Sequence, residues 1–244
     1  MKITILSSLI MVSLLAPVMA ISSEGNKMAK NQALSQKQQC IIPIAAFTAD
    51  GDVNRLKPAL NQGLDAVLTI NEIKEVLVHL YAYTGFPRSL NALFAFMAVI
   101  DERKAKGIED AVGKEAGPVP SDLDKDEYGA KVRAKLAGRE TDISGAKWLR
   151  FSPAIDTFLK EHLFADLFAR DVISYQDREL ATIGALSNMS GTEGQLRFHL
   201  GAAMNTGLTE AQMKDFISVL KTTVGKAQAE SAQKILTEVL NNRK

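Results

Sequence analysis

Thr69-Ile70-Asn71-Glu72-Ile73-Lys74-Glu75-Val76-Leu77-Val78-His79-Leu80 is followed, 140 positions on, by Thr209-Glu210-Ala211-Gln212-Met213-Lys214-Asp215-Phe216-Ile217-Ser218-Val219-Leu220. Each stretch opens with a hydroxyl residue and has Glu or Gln three residues later, the pattern of a capping box. Apolar residues then recur at helical spacing: Ile73, Val76, Leu77 and Leu80 in one, Met213, Phe216, Ile217 and Leu220 in the other. Gly85 and Gly225 follow, each where a helix is expected to stop on a left-handed residue.

The correspondence extends in both directions without a gap from 45 to 100. Ala45, Gly51, Leu56, Leu60, Leu68, Thr69, Lys74, Leu80, Gly85, Ala92 and Val99 recur as Ala185, Gly191, Leu196, Leu200, Leu208, Thr209, Lys214, Leu220, Gly225, Ala232 and Val239. Matches that fall on caps, stops and core positions mark a structural repeat. A second helix is expected in each copy, about 87–103 and 226–241. No sustained strand alternation appears, so the fold class is all-α: a helical bundle of two tandem pseudo-repeats. The first repeat spans 41–104 and the second 151–241. Between them, 105–150 is rich in charge and holds Gly117-Pro118-Val119-Pro120. It reads as a linker with one amphipathic helix near 125–137 and a solvated charged face. From Phe151 the apolar spacing resumes through Ile155, Phe158, Leu159, Leu163, Phe164 and Leu167, a lead-in helix to the second copy.

Residues 1–20 begin Met1-Lys2, continue apolar and end Val18-Met19-Ala20. That is the form of a cleaved secretory signal peptide, which places the protein in the periplasm or outside the cell. No later stretch is long and apolar enough to suggest stable membrane insertion once the leader is gone. The formal charge of +1 leaves no basic field for nucleic acid. The lone Cys40 has no partner for an internal disulfide and reads as a small half-buried apolar residue.

Chemistry-bearing residues gather in the second copy. Asp177-Arg178-Glu179-Leu180-Ala181-Thr182-Ile183-Gly184-Ala185-Leu186 is followed by Gln195-Leu196-Arg197-Phe198-His199-Leu200 and Ala202-Ala203-Met204-Asn205-Thr206-Gly207-Leu208-Thr209. In the first copy, His79-Leu80-Tyr81-Ala82-Tyr83-Thr84-Gly85-Phe86-Pro87-Arg88 leads into Ser89-Leu90-Asn91-Ala92. Together these stretches resemble the signatures of the carboxymuconolactone decarboxylase family, over about 41–104 and 151–240. The resemblance implies an AhpD-like helical bundle that commonly assembles further, here as a homo-oligomer, a trimer or higher.

The two copies depart from the family pattern in complementary ways. The redox branch of the family carries Cys-x-x-Cys-x-x-x-His; counting back from His199 finds Thr192 and Gln195 at the two cysteine positions. Dithiol peroxide chemistry needs both thiols and is disfavoured. The first copy has Gln39 and Ala59 where the second has Glu179 and His199. The second has Lys221, Thr223 and Lys226 where the first has Tyr81, Tyr83 and Phe86. The expected site is therefore composite, one per chain.

The resemblance implies a cofactor-independent lyase acting on a small lactone or keto acid. His199 would transfer the proton and Glu179 would orient it. Arg88, Tyr83, His79 and Arg197 are the expected substrate-binding residues, with Arg178 a further candidate to hold a carboxylate. No metal is called for; His79, His162 and His199 form no ligand motif. The bland readings stand alongside: His199 as a core histidine and Glu179 as a first-turn acid. Two other functions stay open, an antioxidant peroxidase using Cys40 alone and a non-catalytic binding protein with a degenerate pocket.

Overall fold

A computed structural model of the chain describes residues 34–243, so the leader at 1–20 and most of the polar arm after it lie outside the described residues. Helices α1 (Gln36–Asp50) and α2 (Val53–Asp65) are followed by α3 (Ile70–Ala105), α4 (Lys125–Leu136) and the short α5 (Lys147–Phe151) and α6 (Pro153–Thr157). A π-helical run, Phe158–Leu167, continues from α6. Then come α7 (Tyr175–Ser187), α8 (Glu193–Asn205), α9 (Glu210–Val219) with a π-turn at Leu220–Val224, and α10 (Lys226–Asn241). No strand occurs among the described residues.

The repeat is visible in the element order. Shifted by 140, α1 falls on α7, α2 on α8, the first half of α3 on α9 with its π-turn, and the second half of α3 on α10. The caps are those the sequence calls for. Thr69 accepts from the Glu72 amide and Glu72 returns to the Thr69 amide, and Thr209 and Gln212 do the same.

α1 and α7 cross at the centre, where small residues let the backbones meet. A Cβ placed on Gly184 would sit 3.0 Å from the Ile42 carbonyl oxygen and 3.4 Å from Ala45 Cβ. One continuous apolar core surrounds this crossing, drawing Ile41, Leu60, Ile73 and Leu77 from the first repeat and Leu180, Leu200, Phe216 and Leu236 from the second. Burying both amphipathic sets against each other is what joins the repeats.

The two stop glycines behave differently. Gly85 has φ 78° and ψ 159°, a conformation essentially restricted to glycine. There α3 breaks sharply: the Ser89 hydroxyl donates to the Leu77 carbonyl at 2.8 Å. Twelve residues of unbroken helix would span about 18 Å. Gly225 is extended instead, with φ 170°. The left-handed stop expected there is replaced by the π-turn, closed by the Gly225 amide bonding to Leu220 O at 2.9 Å.

The segment 105–150 is more than a solvated linker. α4 buries Val132 and Leu136 in a second, smaller apolar cluster with Leu163, Phe164, Leu167 and Phe168 of the following segment. Gly129 permits this contact, because a Cβ there would run into the Lys160 carbonyl oxygen. Arg133 is buried too, bonded to Asp142 at 2.7 Å and paired with Asp156 at 2.7 Å, so its charge is not on a solvated face. The lead-in is not the regular α-helix its spacing suggests. Ten residues of it are π-wound, and Phe151, Ile155 and Phe158 stay exposed.

Candidate active site

α7 and α8 are adjacent in sequence and pack together, which brings Glu179 and His199 to one place. His199 Nδ1 stands 2.8 Å from Glu179 Oε2 in the interior. The carboxylate can only accept, so Nδ1 carries the proton and Nε2 is the working nitrogen. Nε2 has no hydrogen-bond partner among the described residues, and His199 keeps 6% of its surface exposed. Glu179 is fully buried, and its second oxygen, Oε1, has no partner among the described residues.

The first repeat supplies the ring that covers the imidazole. Tyr83, two residues before the kink in α3, meets His199 edge to face with centroids 5.4 Å apart. Its hydroxyl is buried without a hydrogen bond to a described residue; the Thr182 hydroxyl approaches it without hydrogen-bond geometry. Burial first, and then the Glu179 charge, push the Tyr83 phenol far above its ordinary range. It therefore stays a neutral O–H donor.

His79 lies one helical turn before Tyr83 and is entirely enclosed. Thr182 Oγ1 gives its proton to the Arg178 carbonyl at 3.0 Å, so it accepts from His79 Nε2 at 2.9 Å. His79 Nδ1 is then a lone pair, and it faces an Arg178 nitrogen at 3.4 Å. Burial, then the Arg178 and His199 charges, hold the His79 pKa well below 6.5, so this imidazole is neutral.

Beneath it lies a charged pair that sequence reasoning missed. Glu75, 2% exposed, accepts from Arg178 at 2.7 Å and from Arg170 at 3.0 Å. Arg178 also donates to the Arg170 carbonyl. Two charges out of water persist only when they are paired in this way. The signal for Glu75 was present: an acid directly in the apolar run of α3. Its partner sits 103 residues away, which no local pattern reports. Phe168, directly after the π-helical run, closes the far side, 5.6 Å from His79 between centroids.

The expected site residues thus divide. His199, Glu179, Tyr83 and His79 are brought together within one chain, two from each repeat. Arg197 is held at the surface by an ion pair to Glu238. Arg178 is near but committed to Glu75. Arg88 lies exposed beyond the kink, with no ion pair among the described residues. Three surface hollows, lined by α1–α2, by α2 with the π-turn, and by α3 with the 107–112 loop, do not include Glu179 or His199. Among the described residues no group of three or more His, Cys, Asp or Glu is placed to hold a metal ion.

Two pseudo-repeated helical units enclose a buried His–Glu pair and define an all-α protein. Its sequence matches the carboxymuconolactone decarboxylase family model in two blocks, residues 20–98 and 153–238, one for each repeat. The chain belongs to the carboxymuconolactone decarboxylase family. A curated relative, the 4-carboxymuconolactone decarboxylase of Acinetobacter baylyi, is 24% identical over 123 residues, covering 50% of this chain and 91% of the relative.

Proposed function

We propose that this protein is a cofactor-independent lyase of decarboxylase type, acting on a small lactone or keto acid through His199. The observation that carries the reading is the buried Glu179–His199 pair, with Nε2 left free under Tyr83. In the proposed reaction the substrate's C–CO2 bond breaks and its electron pair passes into the adjacent carbonyl, giving an enolate. The Tyr83 hydroxyl donates a hydrogen bond to the enolate oxygen. The Nε2 proton of the His199 imidazolium moves to the carbon, and the ring is reprotonated from water. Glu179 keeps the ring in one orientation through the Nδ1 hydrogen bond. Of the three arginines, Arg88 is the one left for a substrate carboxylate, since Arg178 and Arg197 are engaged.

The test is release of CO2 from a panel of small lactones and keto acids, preceded by a thermal-shift screen. His199→Ala should lower turnover about 100-fold or more with the fold retained. Substrate turnover undiminished in that variant would end the proposal.

A non-catalytic binding role is the second reading, favoured by the commitment of Arg178 and Arg197 to ion pairs with Glu75 and Glu238. Ligands that raise the melting temperature yet are recovered unchanged would support it. A peroxidase that relies on Cys40 is weakened by the thiol itself: burial pushes its pKa up, away from the reactive thiolate.

Export to the periplasm or beyond is supported by the leader pattern, and a mature N-terminus at Ile21 would establish it. Self-association into a homo-oligomer, a trimer or higher, is supported by an apolar stripe on the second half of α3: Phe86, Leu90, Phe94 and Met97 are all 45% or more exposed.

A further inference from the structure

The pseudo-symmetry that builds the Glu179–His199 centre has a second, vacated counterpart. Shifted by 140, His199 becomes Ala59, Tyr83 becomes Thr223 and Glu179 becomes Gln39. The same packing recurs there, with α2 and the π-turn of the other repeat in place of α8 and the end of α3's first half. Loss of the imidazole and the phenol leaves an open cavity of about 320 Å3 against Pro43, Phe47, Pro58 and Ala59 on one side and Thr222 and Thr223 on the other. A hollow of about 330 Å3 adjoins it through Gln62 and includes Gln39.

Its hydroxyls act as acceptors, beside the Asn54 and Gln62 side-chain amides, which can both donate and accept. The Thr222 hydroxyl donates to Ser218 O and Val219 O, both at 3.1 Å, and the Thr223 hydroxyl to Val219 O at 2.7 Å. Their protons are spent, and lone pairs remain. Pro43 and Pro58, which have no counterparts at Ile183 and Phe198, remove the helical N–H groups that the Gln39 and Asn54 carbonyls would take. Asn54 is part of the cavity wall. Among the described residues of its wall the one cation, Arg55, is already occupied: it bonds Asp52 at 2.6 Å, Val224 O at 3.1 Å and Asp50 at 3.4 Å, and lies over the Phe47 ring at 4.5 Å. Two carboxylates against one guanidinium disfavour an anion.

We propose that this cavity is a second small-molecule site, taking an uncharged ligand with an apolar body and hydroxyl or amide hydrogens to donate. It is distinct from the His199 centre and does not depend on that centre being catalytic. Phenol is the probe and benzoate the counter-probe, titrated into the full chain while the backbone amides of Ala59, Thr222 and Thr223 are followed by NMR. Phenol should move these amides with a dissociation constant on the order of 1 mM, as so few atoms allow. Benzoate should bind at least tenfold more weakly. Thr223→Tyr and Ala59→Leu fill the cavity and should each weaken phenol at least tenfold, while His199→Ala should bind it as the parent does. If a filling variant unfolds, Thr222→Val removes an acceptor at constant shape and should weaken phenol alone. The proposal is overturned by an absence of shifts up to about 50 mM phenol, by benzoate binding as well as phenol, by full binding in the filled or Thr222→Val variants, or by its loss in His199→Ala.

Discussion

At the residue scale, positions where the backbone or the charge is out of the ordinary are the most telling. Val67 has φ 70°, a left-handed conformation that a β-branched residue rarely takes, and its repeat counterpart is Gly207 at φ 109°. Val67 is largely exposed, so little burial offsets the strain. Val67→Gly should therefore stabilise the protein by about 1 kcal/mol, a rise in melting temperature of roughly 2–4 °C. His79 presents the opposite case, a group whose proton is refused by the fold. Its pKa in the folded chain is below that of the unfolded chain, so the unfolded state binds more protons as pH falls through about 6.5. Stability attributable to His79 is complete above that pH and is lost below it, at up to about 1.4 kcal/mol per pH unit. The slope of melting temperature against pH between 7 and 5 should be shallower in His79→Gln; an unchanged slope would remove His79 from the account. The sequence pointed to His199 and Glu179 through their motif, and to His79 and Tyr83 through theirs. It gave no sign that Arg178 is spoken for by Glu75, because that depends on a contact between repeats.

Elements show where sequence periodicity is informative and where it fails. Capping boxes at Thr69 and Thr209 were legible because a cap is decided by four adjacent residues. The π-winding at Phe158–Leu167 was not, because one extra residue per turn leaves the apolar spacing looking helical. The same limit explains Gly225, whose extended backbone follows from the π-turn before it rather than from its identity. Gly129 and Gly85 are among the positions that need glycine. Gly129→Ala would drive a methyl into the Lys160 carbonyl and should destabilise by about 3 kcal/mol, seen as a lower urea midpoint at unchanged slope. Gly85→Ala meets a forbidden backbone angle, at about 1–3 kcal/mol. Since Tyr83 hangs two residues before that break, the tyrosine–imidazole contact should loosen as well.

On the scale of the whole molecule, the apolar stripe on the second half of α3 bears on assembly. Phe94→Glu should shift the protein to a smaller species in light scattering if that stripe is an interface between copies. An unchanged mass, or a monomeric parent, would leave the stripe without that role. The α1–α7 crossing has another consequence. Around it the Glu179–His199 pair and the aromatic cover come from opposite halves, so neither repeat holds all three residues. A chain made by joining two second repeats would possess the dyad twice and the tyrosine never; two first repeats would possess the reverse. Replacing either half by its twin therefore removes one side of the Tyr83–His199–Glu179 contact, and the cluster exists only because the two copies differ.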